Sequence, residues 1–248
     1  MVEDKIVGTD PSNQNAIDTF PGLWYSQFPA EFQVNAGQAT HFEDVRLFWA
    51  IQQFQPKNNW EVLELGPMEG GHSYFMEKNT PVRSITAIEA NRQCWVKCLI
   101  AKEIVDLKRT RFLLGNFMDY LETCDYRYDL CLALGVLYHM IDPLRLLELI
   151  AKVSPRVIIW TQLAGPDQQK SWDEIPLHSG KFEITGYRHN YNNTTNDDNF
   201  IGGVANYSTW LTKSDLLDAL KYFGFSNLQL GQESENQFGQ EITLTASK

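Results

Sequence analysis

Four short stretches carry the residues able to do chemistry. "VLELGPMEGGHSYF" (Val62 to Phe75) runs from an apolar strand through Glu64 and a Gly-rich turn into the start of a helix. "SITAIEA" ends on an acid, Glu89, followed by Ala90 and Asn91. "FLLGNFMDYL" places Asn116 and Phe117 after a third strand, and "LGVLYHMIDPLRLLELI" places Leu134, Gly135, Tyr138 and His139 after a fourth. A Gly-rich turn opening a helix lets a ligand approach backbone N–H groups. An acid at the end of the next strand can accept from paired ribose hydroxyls. A His beside a Tyr can move a proton. Two ligand classes fit poorly. A nucleotide P-loop needs G-x-x-x-x-G-K-[ST], and no Lys follows Gly70 and Gly71. A dinucleotide turn needs a second Gly where the pyrophosphate meets the backbone, and that place holds Met68.

Alternating elements must position these residues. After residue 60, short apolar strands alternate with helical patterns: "WEVLEL", "GHSYFMEKN", "SITAIEA", "NRQCWVKCLIAKEIVDL", "RFLLG", "FMDYLET", "YDLCLALGV", "DPLRLLELIAKV" and "PRVIIWTQ". In the fourth of these, Trp95, Cys98, Leu99, Lys102 and Val105 fall on one stripe at helical spacing. Asp142 reads as an N-cap with Pro143 at the first helical position. The series implies a doubly wound, mostly parallel sheet with helices on both faces. From 163 to 207 the periodicity lapses, and a long loop is expected there. Regularity returns at "LTKSDLLDALKYFGF", where Thr212 and Asp215 are spaced as a capping box and Gly224 closes the helix. "FSNLQLGQ" and "QEITLTAS" then read as an antiparallel hairpin at the sheet edge. Residues 1–55, with "FPGLWYSQFPAEF" and the amphipathic "HFEDVRLFWAIQQF", read as a helical and aromatic cap on a domain of residues 56–248, the whole forming a single domain.

The spacing Glu64-x-Gly66-x-Met68-x-Gly70 resembles the E-x-G-x-G-x-G turn of class I S-adenosylmethionine (SAM)-dependent methyltransferases, with Met68 in place of the middle Gly. "GVLYHMIDPL" resembles a segment of many such enzymes, among them the tRNA wobble-uridine carboxymethyl-transferring group. Together with "FPGLWYSQFP", "GPMEGGHSYF" and "AIEANRQCWVKCLIAKE", the chain from about 20 to 225 resembles a generically described bacterial group of class I methyltransferases. The resemblance implies a Rossmann-like, seven-stranded fold binding SAM and releasing S-adenosylhomocysteine (SAH). It implies a cofactor pocket built from Glu64, Gly66, Pro67, Met68, Gly70, His72, Glu89, Ala90, Asn91, Asn116, Phe117, Leu134 and Gly135. Glu89 would take the ribose, or it is a solvated strand end. Asn116 would accept from the adenine amino group and Phe117 would pack on the ring, or both make a plain turn. His139 is the first candidate base, with Tyr138 an orienting group, and either also reads as structural. His189 and Tyr191, with His178 and Tyr187, lie in the 163–207 segment and could close on a substrate. Trp24 and Tyr25 could stack on a flat substrate or pin the cap.

Composition bounds the substrate. The chain of 248 residues has a net charge of −10, which disfavours a polyanionic partner. One stretch runs the other way: eight basic residues between Lys78 and Arg111 face only Glu89, Glu103 and Asp106. Six acids between Ala164 and Trp210 face Lys170, Lys181 and Arg188, the wrong balance for an RNA-facing lid. The first expectation is therefore transfer of a methyl group to an O or N nucleophile of a small molecule. An RNA-modifying enzyme and a non-catalytic SAM-binding protein are the alternatives. No apolar run is long enough to span a membrane, and the polar N-terminus lacks the features of a secretory signal, so a cytoplasmic location is expected. Four Cys without a C-x-x-C pattern, with Asp129 at a strand start and Asp142 used as a cap, give no expectation of a metal. The oligomeric state is open, a homodimer being one option.

Overall fold

The structure, a computed structural model, describes residues 6–191, 203 and 205–248. In chain order it comprises α1 (Asn13–Ile17), α2 (Val45–Phe54), β1 (Glu61–Leu65), α3 (Gly71–Asn79), β2 (Ser84–Glu89), α4 (Arg92–Ile104), β3 (Thr110–Leu114), α5 (Phe117–Thr123), β4 (Leu130–Leu134), α6 (Pro143–Val153), β5 (Arg156–Leu163), α7 (Pro166–Ser171), β6 (Glu174–Ser179), β7 (Phe182–Asn190), β8 (Tyr207–Leu211), α8 (Lys213–Tyr222), β9 (Asn227–Asn236) and β10 (Gly239–Ser247). A seven-stranded sheet runs β3-β2-β1-β4-β5-β10-β9. Its first five strands pair in parallel, and β10 pairs antiparallel with both β5 and β9. The expected closing hairpin is present at the expected edge. No described helix is long and apolar enough to cross a membrane.

The central strands show why the sheet must be covered on both sides. All of β4 is buried, as expected of a parallel strand between two helical layers. Its alternate side chains join opposite cores. Cys131 and Ala133 pack with α6 residues such as Leu146 and Ile150 and with Leu216 and Leu220 of α8. Leu130, Leu132 and Leu134 pack with Leu47 and Ile51 of α2 and with Phe75 and Met76 of α3. Chain order reverses between β1 and β4, which opens a crevice beyond their carboxyl ends. The helix punctuation follows the sequence. Asp142 accepts from Arg145 N–H with Pro143 at the first position, and Thr212 and Asp215 exchange capping contacts.

Three readings need correction. Much of the segment expected as a loop after β5 is folded: α7 is followed by β6 and β7, which pair with β8 in a separate three-stranded antiparallel sheet. Pro176 sits in an edge strand, where the missing N–H is tolerated. Gly186 allows β8 to approach, since a Cβ there would lie 2.2 Å from Thr209 Cγ2. Residues 192–202 and 204 of that segment lie outside the described residues. The stripe expected on α4 is rotated: Cys94, Lys97, Cys98, Ala101 and Ile104 face inward, and Leu99 is exposed. Lys97 turns inward because it meets a buried acid, Glu69. "HFEDVRLFWAIQQF" divides into a 3₁₀ turn at His41–Glu43 and α2, with Asp44 capping the helix.

That acid anchors the N-terminal cap. The Glu69 carboxylate accepts from Tyr25 N–H (2.9 Å), Ser26 N–H (2.7 Å) and Lys97 Nζ (3.1 Å), with both charged side chains almost wholly buried. Lys97 also donates to Leu23 C=O. Around this point Ile17, Trp24, Phe28 and Phe42 share a core with Tyr74, Cys98 and Ala101. Trp24, off the cavity wall, pins the cap by packing in this core, and its indole N–H donates within the cap to Ile17 C=O. Removing one partner of a buried ion pair costs about 3–5 kcal/mol. Glu69→Ala is therefore expected to lower the free energy of urea unfolding by about that amount, and Glu69→Ala with Lys97→Met by less than the single change. A single change costing under about 1 kcal/mol, the scale of an exposed pair, would contradict the assignment.

Candidate active site

The Gly-rich turn is held by its backbone. Gly66 (φ 61°), Met68 (φ 57°) and Gly70 (φ 79°) alternate in the left-handed region, which favours glycine. At Gly66 a Cβ would also lie 2.7 Å from Val136 Cγ1. Met68 tolerates the conformation with help: its N–H donates to Glu89 Oε2 (3.0 Å), and its C=O lies 3.5 Å from Cys98 Sγ. Glu64 lies beneath the turn, buried, accepting from Ser73 Oγ, and burial pushes its carboxyl pKa up.

The turn borders a cavity of about 640 Å³ at the carboxyl ends of β1, β2, β4 and β5. Gly66, Pro67, Met68, His72, Glu89, Ala90, Asn91, Asn116, Phe117, Leu134, Gly135, Tyr138 and His139 all lie on its wall. Glu64 and Gly70 lie off that wall: Glu64 braces the first turn of α3, and Gly70 packs against Phe112. Glu89 Oε1 accepts from Asn91 N–H (2.8 Å). Burial raises its pKa, with the backbone N–H groups of Asn91, Met68 and Ala90 opposing. A carboxylate has about four acceptor positions, so these bonds fix Glu89 while leaving capacity toward the cavity. Asn116 is committed otherwise than expected: its Oδ1 accepts from Met118 N–H (3.0 Å) and caps α5.

Across the cavity, His139 Nδ1 lies 2.7 Å from Tyr191 Oη. Burial, with His189 nearby, lowers the His139 pKa to about 4. Burial raises that of Tyr138. Tyr191 and His189 stand behind the wall and not on it. Tyr191 backs His139, and His189 stacks on Trp210 at 5.1 Å, its Nδ1 buried with no hydrogen-bond partner among the described residues. His178 is exposed, and Tyr187 packs with Ala164 and Trp210, away from the cavity.

The cap supplies wall residues: Tyr25, already a candidate for stacking, and His41 and Arg46, which the sequence did not single out. Tyr25 stacks on His41 (5.4 Å), and both line the cavity. Arg46 lies over the Trp160 ring at 4.3 Å. Asp44 accepts from Arg46 and from His72 Nε2 (3.0 Å). Burial alone would raise the Asp44 pKa, but those hydrogen bonds hold it well below the usual carboxylate range. Burial lowers His41 to about 3. The four cysteines are free and buried, and burial pushes Cys94, on the cavity wall, up to about 12.

No family model and no curated protein matches the sequence. Solved structures do match in fold. The N-terminal domain of EvdMO1 with SAH bound superposes with a TM-score of 0.74 at 20% identity, covering 94% of each chain. The fold is that of the class I SAM-dependent methyltransferases. The chain spans 46% of the longer EvdMO1 chain. Magnesium protoporphyrin IX methyltransferase from Synechocystis, also with SAH, gives a TM-score of 0.55 at 13% identity over 100% of this chain and 92% of the other. A SAM-dependent methyltransferase from Clostridium acetobutylicum gives 0.51 at 10% identity, over 82% and 89%.

Two outcomes follow from the local physics. A non-Gly residue held in the left-handed region costs about 1–3 kcal/mol, and a Gly loses about 0.5–1 kcal/mol more chain entropy on folding. Met68→Gly is therefore expected to leave urea stability unchanged or raised, and Gly66→Ala to lower it. A clear loss on Met68→Gly would contradict the strain. His139 is expected to titrate near pH 4 by NMR. Its folded pKa lies below the unfolded value of about 6.5. Its contribution to stability is thus full above pH 6.5 and lost as pH falls toward 4. A midpoint near 6.5 would contradict its burial.

Proposed function

We propose that this chain is a SAM-dependent methyltransferase that acts on an O or N nucleophile of a small molecule. One observation carries the reading: a carboxylate, Glu89, held by the backbone N–H groups of Met68 and Asn91 at the end of β2, on a cavity wall beside a left-handed turn. This arrangement fits a ribose. Glu89 would accept from its hydroxyls, with Phe117 beside the adenine and Gly66 to Met68 beneath the amino-acid tail. The group, when bound, supplies an electrophilic methyl for in-line displacement.

The chain's own part is to hold the nucleophile, exclude water and take a proton. His139 is neutral at pH 7 because of its burial. In the tautomer whose Nδ1–H donates to Tyr191 Oη, Nε2 is free to act as the base. Tyr25, Tyr138 and Trp160 give the acceptor side aromatic walls suited to a small organic molecule. The N-terminal domain of EvdMO1 was crystallised in the presence of SAH and D-fucose, which supports a hydroxyl-bearing acceptor.

The basic stretch that favoured RNA is largely engaged within the protein. Lys78 pairs with Glu31, Arg83 with Glu61, Lys97 with buried Glu69, Lys108 with Asp106, and Arg109 with Glu77. Lys102 donates to Thr110 C=O. Of these, Lys97 is withdrawn from solvent altogether, and the net charge of −10 opposes a polyanion at the rest.

Calorimetry tests the cofactor. Glu89→Ala is expected to weaken SAH binding at least tenfold, the scale of hydrogen bonds to a charged group; unchanged affinity would overturn the site map. His139→Asn should leave SAH affinity within twofold and lower kcat on any methylated acceptor by about 10²–10⁴. An undiminished kcat would remove His139 as the base.

A further inference from the structure

We propose that Arg46 forms an anion-binding subsite in the cavity, taking a carboxylate or similar acidic oxygen group of a bound ligand. The inference deepens the proposed function and rests on that reading only for the identity of the ligand. Three observations on the guanidinium carry it. One edge is committed, with Nε and Nη2 forking onto Asp44 (Nε to Oδ1 3.0 Å, Nη2 to Oδ2 2.7 Å). One face is backed by the Trp160 ring at 4.3 Å. Among the described residues Nη1 has no acceptor, so the Nη1/Nη2 end of the fork is left over, and Arg46 lies on the cavity wall. A planar guanidinium gripped at one edge and stacked on one face is pre-organised to receive an anion at the remaining edge.

Charge placement agrees. Among the described wall residues Arg46 is the only Lys or Arg, and Glu89 the only Asp or Glu. Three strand steps separate β2, which carries Glu89, from β5, which carries Trp160, or about 14 Å at the usual strand spacing. The cavity is thus acidic at its ribose end and basic at the other. Asp44 has both oxygens engaged, by Arg46 and by His72, so it is spent as an orienting group. An anion reaching Arg46 has two sources: the amino-acid tail of the cofactor, or an acidic group on the acceptor.

Calorimetry on wild type, Arg46→Gln and Arg46→Lys separates them, with three probes: SAH, 5′-methylthioadenosine (the same thioether nucleoside without the amino-acid tail), and acetate added to SAH-saturated protein. If the tail is the ligand, R46Q weakens SAH at least tenfold and leaves methylthioadenosine within twofold. If the acceptor supplies the anion, SAH affinity holds and acetate binding, present in wild type, falls at least tenfold. Arg46→Lys keeps a cation beside Asp44, guards against misfolding, and should fall between the two. Equal weakening of SAH and methylthioadenosine, or no change with any probe, would overturn the subsite. If wild type failed to bind SAH, the proposed function would fail instead, while acetate binding to the protein alone, present in wild type and lost in R46Q, would still support the anion site.

Discussion

The buried pairing of Glu69 with Lys97 and with the N–H groups of Tyr25 and Ser26 is the contact on which the site's shape depends. It lies inside the Gly-rich turn itself, so one residue joins the turn, α4 and the N-terminal cap. The hydrophobic core of the cap could slide; a charge-assisted bond to two consecutive backbone N–H groups fixes position as well as proximity. From that anchor the chain continues to His41 and Arg46. His41 lies directly against the start of α3, where a Cβ on Gly71 would come within 2.8 Å of it. The cap is therefore a wall of the cavity, and the acceptor side takes its aromatic and cationic character from it.

The turn explains how the motif survives without its middle Gly. Its backbone alternates into the left-handed region at 66, 68 and 70, and only the first and last are glycines. Gly66 has no room for a side chain, because Val136 is against it. Met68 faces the open cavity, so only backbone strain opposes a side chain there, and its N–H bond to Glu89 offsets part of that strain. The same bond orients Glu89. A departure from the motif thus sits at the position where the fold can bear it, and where the side chain has the open cavity beside it.

Sheet order was legible because each strand and helix declared itself by period and cap: Asp142 with Pro143, Thr212 with Asp215, and the closing hairpin. Most of the cavity wall was legible for the same reason, since the ends of successive parallel strands share one edge. The second sheet was not. Its strands β6 and β7 alternate over only a few residues, Ile175 and Leu177 in one and Phe182 and Ile184 in the other, among Pro176, Gly186 and half-exposed polar residues, too short a run to stand out. Position along a chain does not tell the front of a wall from its back, so His189 and Tyr191 read as substrate-facing although they stand behind the wall. Arg46 and Glu69 carry no signal in the sequence, because a charge at a helix start, or within a turn, ordinarily meets solvent. What makes these two matter is a partner distant in sequence.

Whether the cavity beside Glu89 holds SAM is decided by a crystal structure of the SAH complex. The expected density has the ribose hydroxyls on the Glu89 carboxylate, the adenine against Phe117, and the amino-acid tail over Gly66 to Met68. SAH bound elsewhere, or a ribose out of reach of Glu89, would contradict it.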